Sequence, residues 1–419
     1  MSREKNALSE VFSHMTVWVV ALGYFVDIFD LTLFGMVRKA SLEDLGVAAV
    51  DQLSVGQYLL NSQMFGMLLG GIIFGMLGDK RGRMKTLFAS IFCYSIGNLA
   101  NAFVYDIHSY AVLRFISGLG LAGELGIGVT LISELLSKEN RGMGTALVAT
   151  VGVLGAVFGG IVVEFLPWRY CYVLAGVLGL LLLVARMKVA ESPLFQSLGK
   201  RSLVSGYQGV SPGSFFSLFT KLTRFKKFAL SIGLGIPIWF IAGVLMTFSP
   251  ELASKLGVIG DVTASRAISI SYLGLALGDF LSGYLSQMLR SRKKVIWIFQ
   301  LVTIFFVGIL YLFSEGRSSS FYYVICFFIG IGAGFWALFV VVAAEQFGTN
   351  LRATAATSVP NFVRSSVIPM NIFLSFLMQG FSYSLIQASI VLGVFVFGIS
   401  IFCAIRIQET FGTELDFLE

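Results

Sequence analysis

The sequence predicts an all-α membrane protein with twelve transmembrane helices in two pseudo-symmetric six-helix halves. Three observations carry that expectation. Of 419 residues, 56% are hydrophobic and 13% charged, with a mean hydropathy of +0.85. A soluble domain carries about a quarter of its residues as charges. Apolar stretches of about 20 residues, the length that crosses a bilayer, recur along the whole chain. The cations fall between those stretches in a one-sided pattern.

In chain order the predicted spans are 15–37, 55–77, 84–105, 110–135, 142–164, 170–187, 228–249, 266–288, 294–313, 321–344, 355–378 and 384–405. With both termini inside, the inner segments hold 22 of the 30 Lys and Arg. The outer loops hold Arg38, Lys39, Arg169, Lys255, Arg266 and Arg317, while Arg114 and Arg364 fall within spans. Cations gather on the cytoplasmic side, so both termini are expected there. The polar start, Met1 to Glu10, precedes an apolar run too long for a cleaved signal,. A bacterial inner (cytoplasmic) membrane fits. The long polar stretch near the middle divides the chain into residues 1–187, a cytoplasmic linker at 188–227, and 228–419 with a short tail.

The net charge of +7 follows from this topology and needs no nucleic-acid partner,. The partners expected are a lipid bilayer, a small-molecule substrate and protons, with a monomer as the working unit. Cys93, Cys171, Cys326 and Cys403 lie in apolar surroundings without metal or disulfide spacing, as packing residues do,. There is no phosphate loop, no nucleophile beside a base and no metal cluster. An enzyme is therefore not expected, nor a cofactor; a proton gradient would supply the energy.

The halves resemble each other. Gly75-Met76-Leu77-Gly78 matches Gly283-Tyr284-Leu285-Ser286, 208 positions on. Glu134 and Arg141 match Glu345 and Arg352, 211 positions on. Such an offset suggests parallel repeats about an axis along the membrane normal.

The turn Gly78-Asp79-Lys80-Arg81-Gly82-Arg83 resembles the loop between spans two and three of the major facilitator superfamily. The stretch Arg114 to Glu124, with Gly118, Gly120 and Gly123, resembles that superfamily's span-four motif. Glu191-Ser192-Pro193 after span six is similar to a motif of sugar porters and metabolite:proton symporters. Asp27-Ile-Phe-Asp30 resembles the span-one pattern of metabolite:proton and aromatic-acid:proton symporters. The resemblance implies alternating access. It also implies a cytoplasmic latch of Gly78, Asp79, Arg81, Gly82, Arg83 and Glu134, with Arg141, Glu345 and Arg352. Two departures stand out. The second loop has Gln287 for Asp79 and Arg290 for Gly82, so it is expected to latch less firmly. The span-five stretch Gly155-Ala156-Val157-Phe158-Gly159-Gly160 has Ala where the antiporter motif has Pro.

Ionisable groups inside a bilayer are costly and usually face a cavity. Asp27 and Asp30 share one face near the middle of span one, and Glu124 falls at similar depth in span four. These three are the expected proton-coupling carboxylates; a fixed salt bridge or a helix cap is the structural alternative. Arg364 lies mid-span between Pro360 and Pro369. It can hold a substrate carboxylate in bidentate fashion, or pair permanently with Asp279. Arg114 is expected to pair with a span-one acid or to stabilise the outer end of the bundle. Asn61, Gln63, Trp239, Trp336, Asn361 and Asn371 could complete the site, and each could equally be packing. The expected function is proton-coupled import of a small carboxylate-bearing or zwitterionic metabolite. The alternatives are a proton antiporter exporting amphipathic or siderophore-like compounds, and a non-transporting receptor.

Overall fold

The structure, a computed structural model, describes residues 15–81, 83–124, 126, 141–186 and 215–412. Within them the chain runs through α1 (Met15–Asp44), α2 (Gln52–Arg81), α3 (Arg83–Asn101), α4 (Ile107–Leu121), α5 (Arg141–Phe165) and α6 (Trp168–Arg186). Then follow α7 (Ser217–Thr220), α8 (Leu222–Phe240), a π-helical turn (Ile241–Met246), α9 (Ser249–Lys255), α10 (Ala264–Met288) and α11 (Arg292–Phe313). The last elements are α12 (Ser319–Ala333), α13 (Trp336–Glu345), α14 (Thr349–Ser365), α15 (Val367–Gly380) and α16 (Leu385–Arg406). Among the described residues there is no strand, and 10 stretches are long and apolar enough to cross a membrane. The protein is thus an all-α integral membrane protein.

Three expected boundaries move. The first helix runs to Asp44, so Arg38, expected in an outer loop, is helical and fully buried. The polar turn after span two is mostly helix: α2 continues through Arg81, where Lys80 and Arg81 complement the helix's negative end,. Span seven starts at Leu222, inside the expected linker.

Three spans after residue 220 are interrupted, and span four also leaves its helix at Ala122 and Gly123, just before Glu124. Span seven carries Pro237 and passes into the π-helical turn. Span ten breaks at Gly334 and Phe335 between α12 and α13. Span eleven breaks at Ser366, after Pro360 and before Pro369 in the first turn of α15. Proline removes a helical hydrogen bond and clashes with the preceding turn, which accounts for the first break and contributes to the third.

Helix α1 packs on α5, and α2 on α4; later in the chain α10 packs on α12. The seams α2–α14 and α5–α10 join the two sets. A Cβ at Gly66 or Gly70 would strike the carbonyls of Phe115 or Leu119 on α4. A Cβ at Gly274 or Gly278, each 208 positions later, would strike those of Phe327 or Ile331 on α12. Gly118 lies on the carbonyl of Gln63, and Gly330 on that of Ser271, its counterpart 208 positions on. The sequence repeat is therefore a repeat of backbone-on-backbone contacts.

Candidate functional site

Between the two sets of helices lies a small cavity. Its wall includes Tyr24 of α1, Trp239 of α8, Tyr272 of α10, Trp336 of α13 and Arg364 of α14. A second small cavity adjoins it, sharing Trp239, Ala242 and Tyr272. The second is lined otherwise by mainly apolar groups such as Leu31, Leu60 and Met64.

Arg364 is the cation of the first cavity and is almost fully buried. Its Nη2 lies 3.9 Å from Oδ2 of Asp27, an ion contact too long for a hydrogen bond,. Its Nη1 donates to Oδ1 of Asn361 at 3.4 Å, and its guanidinium carbon sits 5.7 Å from the centre of the Trp336 ring. Among the described residues, no hydrogen bond reaches either oxygen of Asp27, although the residue is fully buried. A dry carboxylate without donors is costly when ionised. Arg364 is the nearest compensation, and Asp279, the partner considered for Arg364 from sequence, makes no ion pair with it.

Asp279 serves elsewhere: its Oδ1 accepts from the backbone N–H of Ala337 at 3.0 Å, in the first turn of α13. Arg114 does not touch a span-one acid either. Its Nη2 donates to Oδ1 of Asn98 at 2.6 Å, and Nδ2 of Asn98 donates to Asp30. Asn98 is thus interposed between cation and carboxylate. Glu124 is held by Arg186, whose Nη1 donates at 2.9 Å while Nη2 bonds the other oxygen. This pair is buried on both sides, at 1% exposure each. It stands beside α1 where Gly23 leaves room: a Cβ there would collide with both side chains.

The expected polar lining divides. Trp239 lines both cavities and Trp336 the first. Asn61 and Gln63 line neither, because they sit on helix seams. Asn61 accepts from Nδ2 of Asn371 at 2.8 Å, and Nε2 of Gln63 donates to the Leu31 carbonyl at 3.4 Å. Asn361 bridges the seam, donating to the Ala122 carbonyl at 2.9 Å.

Of the expected latch, Gly82 and Glu134 lie outside the described residues, as do the side chains of Asp79, Arg83, Arg141 and Arg352. Gly78 is buried and Arg81 exposed at the end of α2. Glu345 pairs with Arg292 at 3.3 Å. The second loop, expected to latch less firmly, finds its carboxylate in Glu409 after α16. Glu409 accepts from the backbone N–H of Arg292 at 2.9 Å and of Lys293 at 3.2 Å, and from the Ser291 hydroxyl. Burial alone would raise the Glu409 pKa, but these bonds outweigh it and hold the carboxyl below its usual value,.

At the opposite end, Nη2 of the buried Arg38 donates to both oxygens of Glu251 on α9, at 2.6 and 2.7 Å. Phe248 lies 4.8 Å beneath the guanidinium, and the Thr247 carbonyl accepts from it at 3.4 Å. A Cβ at Gly56 would meet Arg38 Cδ at 2.7 Å, so α2 yields the space. A second pair, Arg266–Glu164 at 2.7 Å, is exposed. Sequence reading missed Arg38 and Arg186 because both were assigned to loops by charge, and missed Asn98, Tyr24 and Tyr272 because single polar residues in spans carry little signal.

A bundle of transmembrane helices enclosing a charged, aromatic-walled central cavity defines a membrane transporter. The chain belongs to the Major Facilitator Superfamily, whose family model matches residues 20–369. It is 26% identical over 411 residues to a putative niacin/nicotinamide transporter of Bacillus subtilis, covering 95% of this chain and 96% of that one. It is 29% identical over 193 residues to a 4-hydroxybenzoate transporter of Pseudomonas aeruginosa, covering 45% and 42% respectively. The fold matches the structure of the proton:xylose symporter XylE with a TM-score of 0.69 at 16% identity, over 97% of this chain and 98% of that one.

Proposed function

We propose that this transporter is a proton-coupled symporter that imports a small aromatic carboxylate. The observation that carries the reading is the fully buried Asp27, with no hydrogen bond among the described residues, beside Arg364 at 3.9 Å. Arg364 is a fork suited to a substrate carboxylate, and Asp27 competes for it. A proton on Asp27 releases Arg364 to the substrate. The charge balance then enforces coupling. In the empty carrier Arg364 and Asp27 cancel; with both proton and substrate bound, Arg364 and the substrate cancel. Proton alone leaves a net positive site and substrate alone a net negative one, and either is costly to carry through a low-dielectric core.

Tyr24, Trp239, Tyr272 and Trp336 surround the cation with ring faces and edges, which suits a planar aromatic acid. Niacin and 4-hydroxybenzoate, named for two of the relatives, are both ring carboxylates. Asp30 and Glu124 are already engaged by Asn98 and Arg186, so in this reading they support α1 and leave Asp27 as the exchanging group. The cation-rich face bearing the α2–α3 connection is the cytoplasmic one, in a bacterial inner membrane. Residues 1–187 and 228–419 rock as two halves around this midplane cavity.

The test is nicotinate uptake into proteoliposomes. An inward pH gradient is expected to drive accumulation with the membrane potential clamped, whereas a potential alone drives none, because the loaded site is neutral. Asp27→Asn is expected to keep substrate counterflow and lose accumulation. Full accumulation by that variant would overturn the coupling role.

A further inference from the structure

We infer that Asp279 is a positioning residue for the binding cavity, fixing Trp336 against Arg364 by capping the second half of span ten. This rests on the reading of that cavity as the substrate site. Helix α13 begins at Trp336 directly after the break at Gly334 and Phe335. Its local N-cap, Phe335, offers no side-chain acceptor. The first amides of a helix need one. Asp279 supplies it from a neighbouring helix, through Oδ1 to the N–H of Ala337, and the Trp336 amide faces the same carboxylate.

The backbones are close enough for this only because both contact points are glycine. A Cβ on Gly278 would stand 2.9 Å from Cα of Gly334, and a Cβ on Gly334 would stand 2.6 Å from the Asp279 nitrogen. The carboxylate is thus inserted at the break by α10 itself. What it fixes is the residue one position before its bonded amide, and that is Trp336, whose ring lies 5.7 Å from the Arg364 guanidinium carbon. Phe339, one turn on, packs against Trp336 with ring centres 5.4 Å apart and completes the clamp. The remaining oxygen, Oδ2, is buried without a hydrogen bond among the described residues. A cap needs only one acceptor, so an amide oxygen can replace it.

This separates capping from proton exchange. Asp279→Asn retains a capping oxygen and loses the titratable charge; Asp279→Ala loses both. Nicotinate uptake by Asp279→Ala is expected to show a KM raised about fivefold, the usual worth of one cap. Its pH profile is expected to stay in place. Asp279→Asn is expected to lie within about twofold of the unaltered protein.

A second readout needs no substrate: acrylamide quenching of the Trp336 fluorescence, isolated by subtracting the Trp336→Phe protein. Asp279→Ala is expected to raise quenching of that component and Asp279→Asn to leave it unchanged. An Asn variant as impaired as the Ala variant, or one with a displaced pH profile, would overturn the assignment, since the charge would then matter. Unchanged quenching in the Ala variant would overturn it as well. If the unaltered protein ignores nicotinate, the substrate class fails, and the quenching result still decides the role of Asp279.

Discussion

In the orientation proposed above, the Arg38–Glu251 pair lies at the outer end, and a quantitative test can ask whether it holds that end closed. The perturbation is Glu251→Gln. In the structure Nη2 of Arg38 reaches both carboxylate oxygens at 2.6 and 2.7 Å, with Arg38 fully buried and Glu251 at 23% side-chain exposure. Unit charges about 4 Å apart attract by about 4 kcal/mol at an effective dielectric near 20. Partial exposure of Glu251 lowers the net value, while the buried arginine left without its carboxylate raises the cost of the substitution. A loss of about 2 kcal/mol from the closed state follows, or about a 30-fold shift toward outer opening.

Thr32 lines the second cavity and reports on that opening. A Thr32→Cys protein, combined with Glu251→Gln, should react about 30-fold faster with a membrane-impermeant thiol reagent added outside. Exchanging the charges, Arg38→Glu with Glu251→Arg, should restore slow labelling at least in part. Unchanged labelling in Glu251→Gln would refute the idea that this pair bears the closure. The exposed Arg266–Glu164 pair is expected to contribute little, as surface pairs do,.

Two further outcomes can be checked. Gly23→Ala is expected to break the buried Glu124–Arg186 pair and overpack α1, costing about 3–5 kcal/mol; a thermal melt in detergent reads the loss. Gly308→Ala, where a Cβ meets nothing within 4 Å, is the matched control and should leave the melt unchanged. The hold of Glu409 on the start of α11 is expected to persist at neutral pH and to fail on acidification. Its folded pKa lies below the ordinary glutamate value, so the stabilisation is full above that ordinary value and is lost as pH falls through the lowered one. The anisotropy of a dye at Gly412→Cys should therefore stay high at neutral pH and drop only on acidification below the ordinary glutamate pKa,.

The fold was legible because its signals are long and redundant. Spans of about 20 apolar residues, cations between them and glycines repeating at an offset of 208 all mark the same architecture. Asp27 and Arg364 were legible because a charge deep in an apolar run is rare. Their pairing was not, since it joins α1 to α14 across the whole sequence. Asp279 looked like the natural counter-ion by depth, yet it faces the break in span ten. Arg38 and Arg186 looked like loop cations, because helix ends cannot be placed by hydropathy to better than a few residues. Asn98 carried no signal at all: an amide between Asp30 and Arg114 is recognised only when both neighbours are in view.

The interrupted helices divide the work of the molecule unevenly. Among the described residues, three of the breaks fall after residue 230, at the π-helical turn, at Gly334 and Phe335, and at Ser366, and a fourth lies in span four, at Ala122 and Gly123, against Asn361. Each break adjoins the cavity or the helix carrying Arg364. The helices α1, α2 and α5 run uninterrupted from end to end. Bending in a transport cycle is therefore expected at these joints, while the unbroken α1, α2 and α5 are expected to stay straight. Spin-label distances between the ends of α1 and α5 should stay narrow through the cycle, and those between the ends of α12 and α13 should split into two populations.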